Sequence, residues 1–182
     1  PTGDVSRPVE FIKVYGKGES TYRTLTDELF QKLVDLARQN KPDSIGALLD
    51  PDGDFMQESA MQSLAALADL KRHDKRAAML VVTKDTAHGA RVRKLIERLQ
   101  REHPEFRHFS IVEIYNDTPK AHERIKSLNQ DQTDIVITVR MISEGVDVKR
   151  LRVGWYATDY LTRMFFIQFI GRFGRYESRL DA

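Results

Sequence analysis

From Ala77 onward, short and wholly apolar runs alternate with longer amphipathic stretches, and few folds accept that alternation. Ala78-Met79-Leu80-Val81-Val82 contains no polar side chain and is closed by Thr83-Lys84-Asp85. A run that is apolar on both faces has to be covered from both sides, as a strand of a parallel sheet is by its crossover helices. Thr86 to Arg101 follows with Val92, Leu95, Ile96 and Leu99 at helical spacing. Phe109 to Tyr115 reads as the next strand. Asn116-Asp117-Thr118-Pro119 then reads as a turn that offers an N-cap and puts Pro119 at the first helical position, ahead of a helix carrying Ile125 and Leu128. Asp134 to Val139 is a third strand, Leu151 to Ala157 a fourth, and a last helix starts near Leu161 or Thr162. The expected fold class is α/β, a three-layer sandwich with a mainly parallel central sheet and right-handed crossovers.

The first seventy or so residues fit this scheme less regularly. Val9 to Tyr15 reads as an edge or additional central strand, and Thr24 to Gln39 as a helix with Leu25, Leu29, Leu33, Leu36 and Ala37 along one face. Asp50-Pro51-Asp52-Gly53-Asp54 is a turn, and Met56 to Arg72 a second long helix. The expected division is an N-terminal strand and helical elaboration over 1–76, packed on or part of the same domain, and the main domain over 77–182. At 182 residues, with 41% hydrophobic and 31% charged side chains, the chain is globular in composition. It starts at Pro1, which reads as a fragment of a longer protein, with processing as the other explanation.

Charge and rare residues remove several function classes. The net charge is only +2, from 29 basic and 27 acidic residues, so nucleic-acid binding would have to rest on local clustering. There is no cysteine, hence no disulfide, thiolate chemistry or cysteine-ligated zinc. The five histidines form no His-x3-His pair and no HExxH, so no metal site is expected. No apolar run reaches the roughly 18 residues of a membrane span and the start carries no signal peptide, so a cytoplasmic protein with no membrane partner is expected.

Two segments carry chemistry. The third strand runs directly into Val139-Arg140-Met141-Ile142-Ser143-Glu144-Gly145-Val146-Asp147-Val148. Ligands of open α/β sheets bind beyond the carboxyl ends of strands, which is where this loop falls. Gly145 would permit an unusual backbone angle and Asp147 would accept hydrogen bonds from a sugar hydroxyl; a polar capped turn, with Ser143 or Asp147 satisfying backbone groups, is the competing account. The second segment is Gln168-Phe169-Ile170-Gly171-Arg172-Phe173-Gly174-Arg175, with Arg172 and Arg175 three residues apart. Guanidinium groups fork onto paired oxygens and suit a polyphosphate. If the segment is helical, that spacing puts both on one face.

Ile137 to Asp147 resembles motif V of superfamily 2 helicases, and Gln168 to Arg175 resembles their motif VI. Leu80-Val81-Val82-Thr83 with its following helix is similar to the motif IV region, and His122-Glu123-Arg124-Ile125 to the helix ahead of motif V. The resemblance covers about residues 77–176 and is to the C-terminal RecA-like domain of DEAD/DEAH-type proteins. Ser143-Glu144-Gly145-Val146-Asp147 and Tyr156-Ala157-Thr158 look closest to restriction-enzyme and DNA-repair-like members.

This resemblance implies an ATP-dependent helicase or translocase acting on nucleic acid, with DNA favoured over RNA. Arg175 would be the arginine finger and Arg172 its catalytic companion. Gly145, Asp147 and Gln168 would line the nucleotide side of a cleft. Thr83, Lys84, Thr138 and Ser143 would contact nucleic acid. ATP and Mg2+ would be held mainly by an N-terminal RecA-like domain of the same chain, so residues 1–182 alone would be inactive. Phe169 stands where many members have arginine, which leaves contacts at that position unassigned and the Gly-Arg-x-Gly-Arg core intact. The alternative is a catalytically silent RecA-like module that binds nucleic acid or protein.

Other features read more simply. Tyr15-Gly16-Lys17-Gly18 lacks the leading glycine and the following Ser or Thr of a phosphate loop. Asp27-Glu28 opens a helix, where carboxylates favour the dipole. His122-Glu123 reads as a surface face. Arg91, Arg93, Lys94, Arg98 and Arg101 form a basic helical run, read first as solvated and second as a nucleic-acid contact.

Overall fold

The computed structural model describes residues 48–140 and 148–173. The expected strand at Val9–Tyr15, the helix at Thr24–Gln39 and the residues Ser143, Gly145, Asp147 and Arg175 lie outside the described residues. The order of elements is α1 (Asp54–Lys71), β1 (Ala78–Thr83), α2 (Thr86–Glu102), a 3-10 turn (Pro104–Phe106), β2 (Ile111–Ile114), α3 (Ala121–Ser127), β3 (Ile135–Thr138), β4 (Leu151–Ala157) and α4 (Arg163–Ile170).

The four described strands form one sheet in the order β2-β3-β1-β4, and every pairing is parallel. Both central strands, β1 and β3, are buried along their whole length, which is why their sequences carry no alternation. Alternate residues serve opposite faces. Met79, Val81, Ile135, Ile137, Val153 and Trp155 face a core shared with α1 and α2. Leu80, Val82, Val136 and Leu151 face a second core built with α3 and α4. The result is a three-layer α/β sandwich. α1, with Met56, Ala60, Leu64 and Leu67 buried, belongs to the first of these cores.

Two local expectations change. Pro119 is not the first residue of α3: Lys120 caps that helix in the left-handed region at φ 57°, and Ala121 begins it. Thr118 is drawn instead into a tight turn, its Oγ1 accepting from the Tyr115 amide at 2.8 Å and its amide donating to the Tyr115 carbonyl at 2.9 Å. Arg172 also does not ride on α4, because that helix ends at Ile170. Arg172 follows in a tightened turn, its amide donating to the Phe169 carbonyl at 3.1 Å.

The amino edge of the sheet is held by a buried arginine. Arg150 is 2% exposed and donates to the carbonyls of Arg76, Leu128, Asp131 and Thr133 and to the Asp131 carboxylate. Burial pulls its pKa down, and the Asp131 and Asp134 charges oppose that.

Candidate functional site

Because every strand runs the same way, Thr83, Tyr115, Thr138 and Thr158 all arrive at one edge, the carboxyl edge. The pairing register sets them side by side: Thr138 lies across from Val82, and Val82 across from Tyr156 on its other side. Thr83 pairs with Ala157. The end of β3, which leads towards residues 141–147, is thus one strand away from the end of β4, which leads into α4.

Within that row, Thr83 is fully buried and its hydroxyl donates to the Thr138 carbonyl at 3.2 Å. Thr138 is 3% exposed, and its own Oγ1 finds no hydrogen-bond partner among the described residues. A buried hydroxyl left unpaired is costly and calls for an explanation. Lys84, next in the chain, is exposed. Its amide donates to His88 Nδ1 at 3.2 Å, and His88 Nε2 faces the Leu49 carbonyl at 2.7 Å. That pattern requires the tautomer with the proton on Nε2. α2 begins here because Asp85 caps it, its carboxylate accepting from the His88 amide at 2.7 Å.

The helix after β4 is fixed by aromatic rings. Tyr156 points from β4 onto α4, its ring 5.3 Å from Phe166 and 5.1 Å from Phe169. Phe169 in turn stacks edge-on with Phe173 at 4.9 Å. Gly154 makes room for them, since a Cβ there would lie 2.5 Å from Phe173 Cζ and 2.7 Å from Phe169 Cζ. Gln168 and Arg172 are half-buried on and just beyond α4. Burial pushes the Tyr156 phenol well above its usual pKa, so it stays a hydroxyl and donates to the Tyr160 carbonyl.

The structure therefore brings Thr83, Lys84 and Thr138 together and ties their row to the helix that bears Gln168 and leads into Arg172. Two members of the basic run on α2 are engaged within the protein. Arg91 pairs with Asp50 at 2.5 Å and Asp52 at 2.9 Å, and Arg93 with Glu97 and Glu113. His122 and Glu123 are exposed on α3. Among the described residues, no group of three or more His, Cys, Asp or Glu side chains could hold a metal ion. No helix of the described residues is long and apolar enough to cross a membrane.

Sequence reasoning missed the aromatic scaffold, although Phe165, Phe169 and Phe173 recur at every fourth position. It also gave no role to Arg140, which sits at φ 49° with its guanidinium carbon 4.6 Å from the centre of the Tyr160 ring.

A parallel sheet covered on both faces defines a three-layer α/β domain, with Thr83, Tyr115, Thr138 and Thr158 at its carboxyl edge. The family follows from comparison: residues 59–177 match the model of the helicase conserved C-terminal domain, so the chain belongs to that family. That match takes in both chemistry-bearing segments and the whole described sheet. Over 173 residues the chain is 30% identical to the uncharacterized protein Rv2917 of Mycobacterium tuberculosis, covering 94% of this chain and 27% of that protein. It is 31% identical to the uncharacterized protein ML1624 of Mycobacterium leprae, covering 94% of this chain and 28% of the other. The chain thus spans roughly a quarter of these relatives' length. A solved structure, the Pyrococcus furiosus Hef helicase domain, aligns with a TM-score of 0.46 at 12% identity, over 65% of this chain and 23% of that one.

Proposed function

We propose that this chain is the C-terminal motor domain of an ATP-dependent helicase or translocase that acts on nucleic acid, with DNA favoured. The observation that carries the reading is the family match across 59–177, joined to a register that sets the end of β3 one strand away from the strand feeding α4. In the proposed motor, ATP and Mg2+ are held mainly by an N-terminal RecA-like domain of the longer protein. Arg175 reaches the γ-phosphate as an arginine finger, with Arg172 beside it. A finger of this kind neutralises charge developing on the transferred phosphoryl group, worth roughly a thousandfold or more in rate. Arg172 and Gln168 supply donor groups suited to a polyphosphate. Gly145 and Asp147 line the nucleotide side of the cleft.

On the nucleic-acid side, Thr83, Lys84, Thr138 and Ser143 are the proposed contacts. Lys84 is exposed and can meet a phosphate directly. Thr83 and Thr138 are buried at the ends of β1 and β3. Contacts of this type go to the backbone and carry no sequence preference, which suits a domain of low net charge. Residues 1–76 are proposed to elaborate the same domain, and residues 1–182 alone to be inactive.

The test is Arg175→Ala in the full-length protein. Nucleic-acid-stimulated ATP hydrolysis should fall at least a hundredfold while nucleic-acid binding is retained. Near-normal turnover would remove the finger assignment and favour a silent binding module.

A further inference from the structure

Arg140 is the residue at the carboxyl edge whose conformation is hardest to explain by local sequence. A left-handed backbone is uncommon for a residue with a Cβ, and it persists only when the surroundings hold it. Here the holding contact is visible: at φ 49° the side chain reaches over Tyr160, with 4.6 Å from its guanidinium carbon to the ring centroid. Arg140 is otherwise exposed. Tyr160 lies just ahead of α4 and is itself fixed on three sides. Its ring meets Phe165 edge-on at 4.9 Å and 87°, its carbonyl accepts from the Tyr156 hydroxyl, and its amide faces Thr158 Oγ1 at 3.4 Å.

From Tyr160 the rings continue without a break. Tyr156 packs on Phe165 at 6.1 Å and on Phe169 at 5.1 Å, and Phe169 on Phe173 at 4.9 Å. Arg172 sits between the last two positions. A guanidinium at the end of β3 is therefore linked through packed aromatic rings to the turn that holds Arg172. Because packed interiors deform little, a shift at one end is passed to the other.

We propose that Arg140 is a positioning residue: by lying on Tyr160 it sets the placement of α4 and of the arginines that follow it, and so governs turnover without touching nucleotide or nucleic acid. This rests on the motor reading above. A cation over an aromatic face is an electrostatic contact that lysine can partly replace and a neutral stem cannot. Tyrosine's hydroxyl takes no part in it.

In the full-length protein, Arg140→Met and Tyr160→Leu should each lower the kcat of nucleic-acid-stimulated ATP hydrolysis about tenfold. KM for ATP and the dissociation constant for single-stranded DNA should stay within about twofold. Arg140→Lys and Tyr160→Phe should retain most of the rate, and Arg140→Met/Tyr160→Leu should be no slower than either single change. Thermal unfolding of each variant, followed by Trp155 fluorescence, should match that of the parent, which separates positioning from loss of fold. Weaker DNA binding in Arg140→Met but not in Tyr160→Leu would overturn the proposal in favour of a direct phosphate contact. Additive losses, or unchanged kcat, would overturn it as well. Arg175→Ala measured alongside tells the two failures apart. If that variant is inactive and the Arg140 and Tyr160 variants are normal, only the positioning role falls; if it turns over normally, the motor reading falls and takes this role with it.

Discussion

Arg150 and Thr138, at opposite edges of this sheet, handle their polar groups in opposite ways. At the amino edge, Arg150 is buried and its donors are aimed at four backbone carbonyls and a carboxylate. Asp134 beside it accepts from the Ser110 amide at 2.8 Å and hydroxyl at 3.0 Å, and pairs with Lys71 at 2.5 Å. At the carboxyl edge, Thr138 keeps a buried hydroxyl without a partner among the described residues, Arg140 sits in the left-handed region, and Lys84 faces solvent. Satisfied buried networks rigidify a fold, whereas unsatisfied groups cost stability and tend to be kept for a task. The difference teaches which edge to perturb for stability and which for function.

The contrast breaks most visibly at Arg150. Arg150→Met removes the donors and leaves the carbonyls of Arg76, Leu128, Asp131 and Thr133 without them. Leaving a buried acceptor unsatisfied costs about 1–3 kcal/mol. Urea unfolding of the chain should show a midpoint drop of that size. A change below about 1 kcal/mol would mean that the amino edge is not the fold's anchor.

Gly154 sharpens the comparison from the middle of β4. A Cβ at this position would meet Phe173 Cζ at 2.5 Å and Cε2 at 2.6 Å, which real packing does not tolerate. Gly154→Ala should destabilise by about 1–3 kcal/mol through overpacking. Adding Phe173→Leu should recover part of that loss, since it removes the ring the new methyl strikes. Failure of the second change to help would show that the strain is carried by Phe169 or by the strand itself.

Periodicity made much of this legible. The β1 and β3 runs, the α2 stripe of Val92, Leu95, Ile96 and Leu99, and the Leu151–Ala157 strand all follow from where apolar residues recur. The carboxyl edge was legible as a place, because strand direction alone assigns it. What periodicity does not encode is which turn wins when several are available. Pro119 looked like a helix start, yet the Thr118 hydroxyl bonding to the Tyr115 amide made a tight turn first and delayed the helix to Ala121. Arg172 looked helical by spacing, yet Gly171 ends α4 one residue earlier. The Arg140–Tyr160 contact joins residues far apart in the chain through a backbone angle that sequence rarely announces.

Thr138 offers a smaller effect with the opposite sign from Arg150. Thr138→Val replaces a buried, unpaired hydroxyl with a methyl of the same shape, which is neutral or slightly stabilising. Its urea midpoint should therefore stay the same or rise. In the full-length protein the same change should weaken single-stranded nucleic-acid binding by about fivefold, the worth of one hydrogen bond of about 1 kcal/mol. Thr138→Ser should keep that affinity. A large stability loss in Thr138→Val would show that the hydroxyl is satisfied within the protein and erase the contrast between edges.

The smallest expected effect is a pH dependence at the start of α2. His88 uses both ring nitrogens as a neutral imidazole, Nδ1 accepting from the Lys84 amide and Nε2 facing the Leu49 carbonyl. Burial lowers its pKa below the usual 6.5; the Leu49 carbonyl and Asp85 act against this, and the Lys84 and Arg91 charges add to it. The unfolded chain then binds a proton that the folded chain resists. Its contribution to stability is thus complete above pH 6.5 and is lost as pH falls from there through the folded-state pKa. Urea midpoints at pH 7.5 and at pH 5.5 should differ more for the parent chain than for His88→Gln, which has no proton to take up. The comparison between variants cancels the carboxylates common to both, so an equal pH drop in the two would show that the Lys84 amide does not depend on a neutral ring. Protonation would then leave the first turn of α2 in place, and Lys84 would stay at the carboxyl edge in acid as at neutral pH.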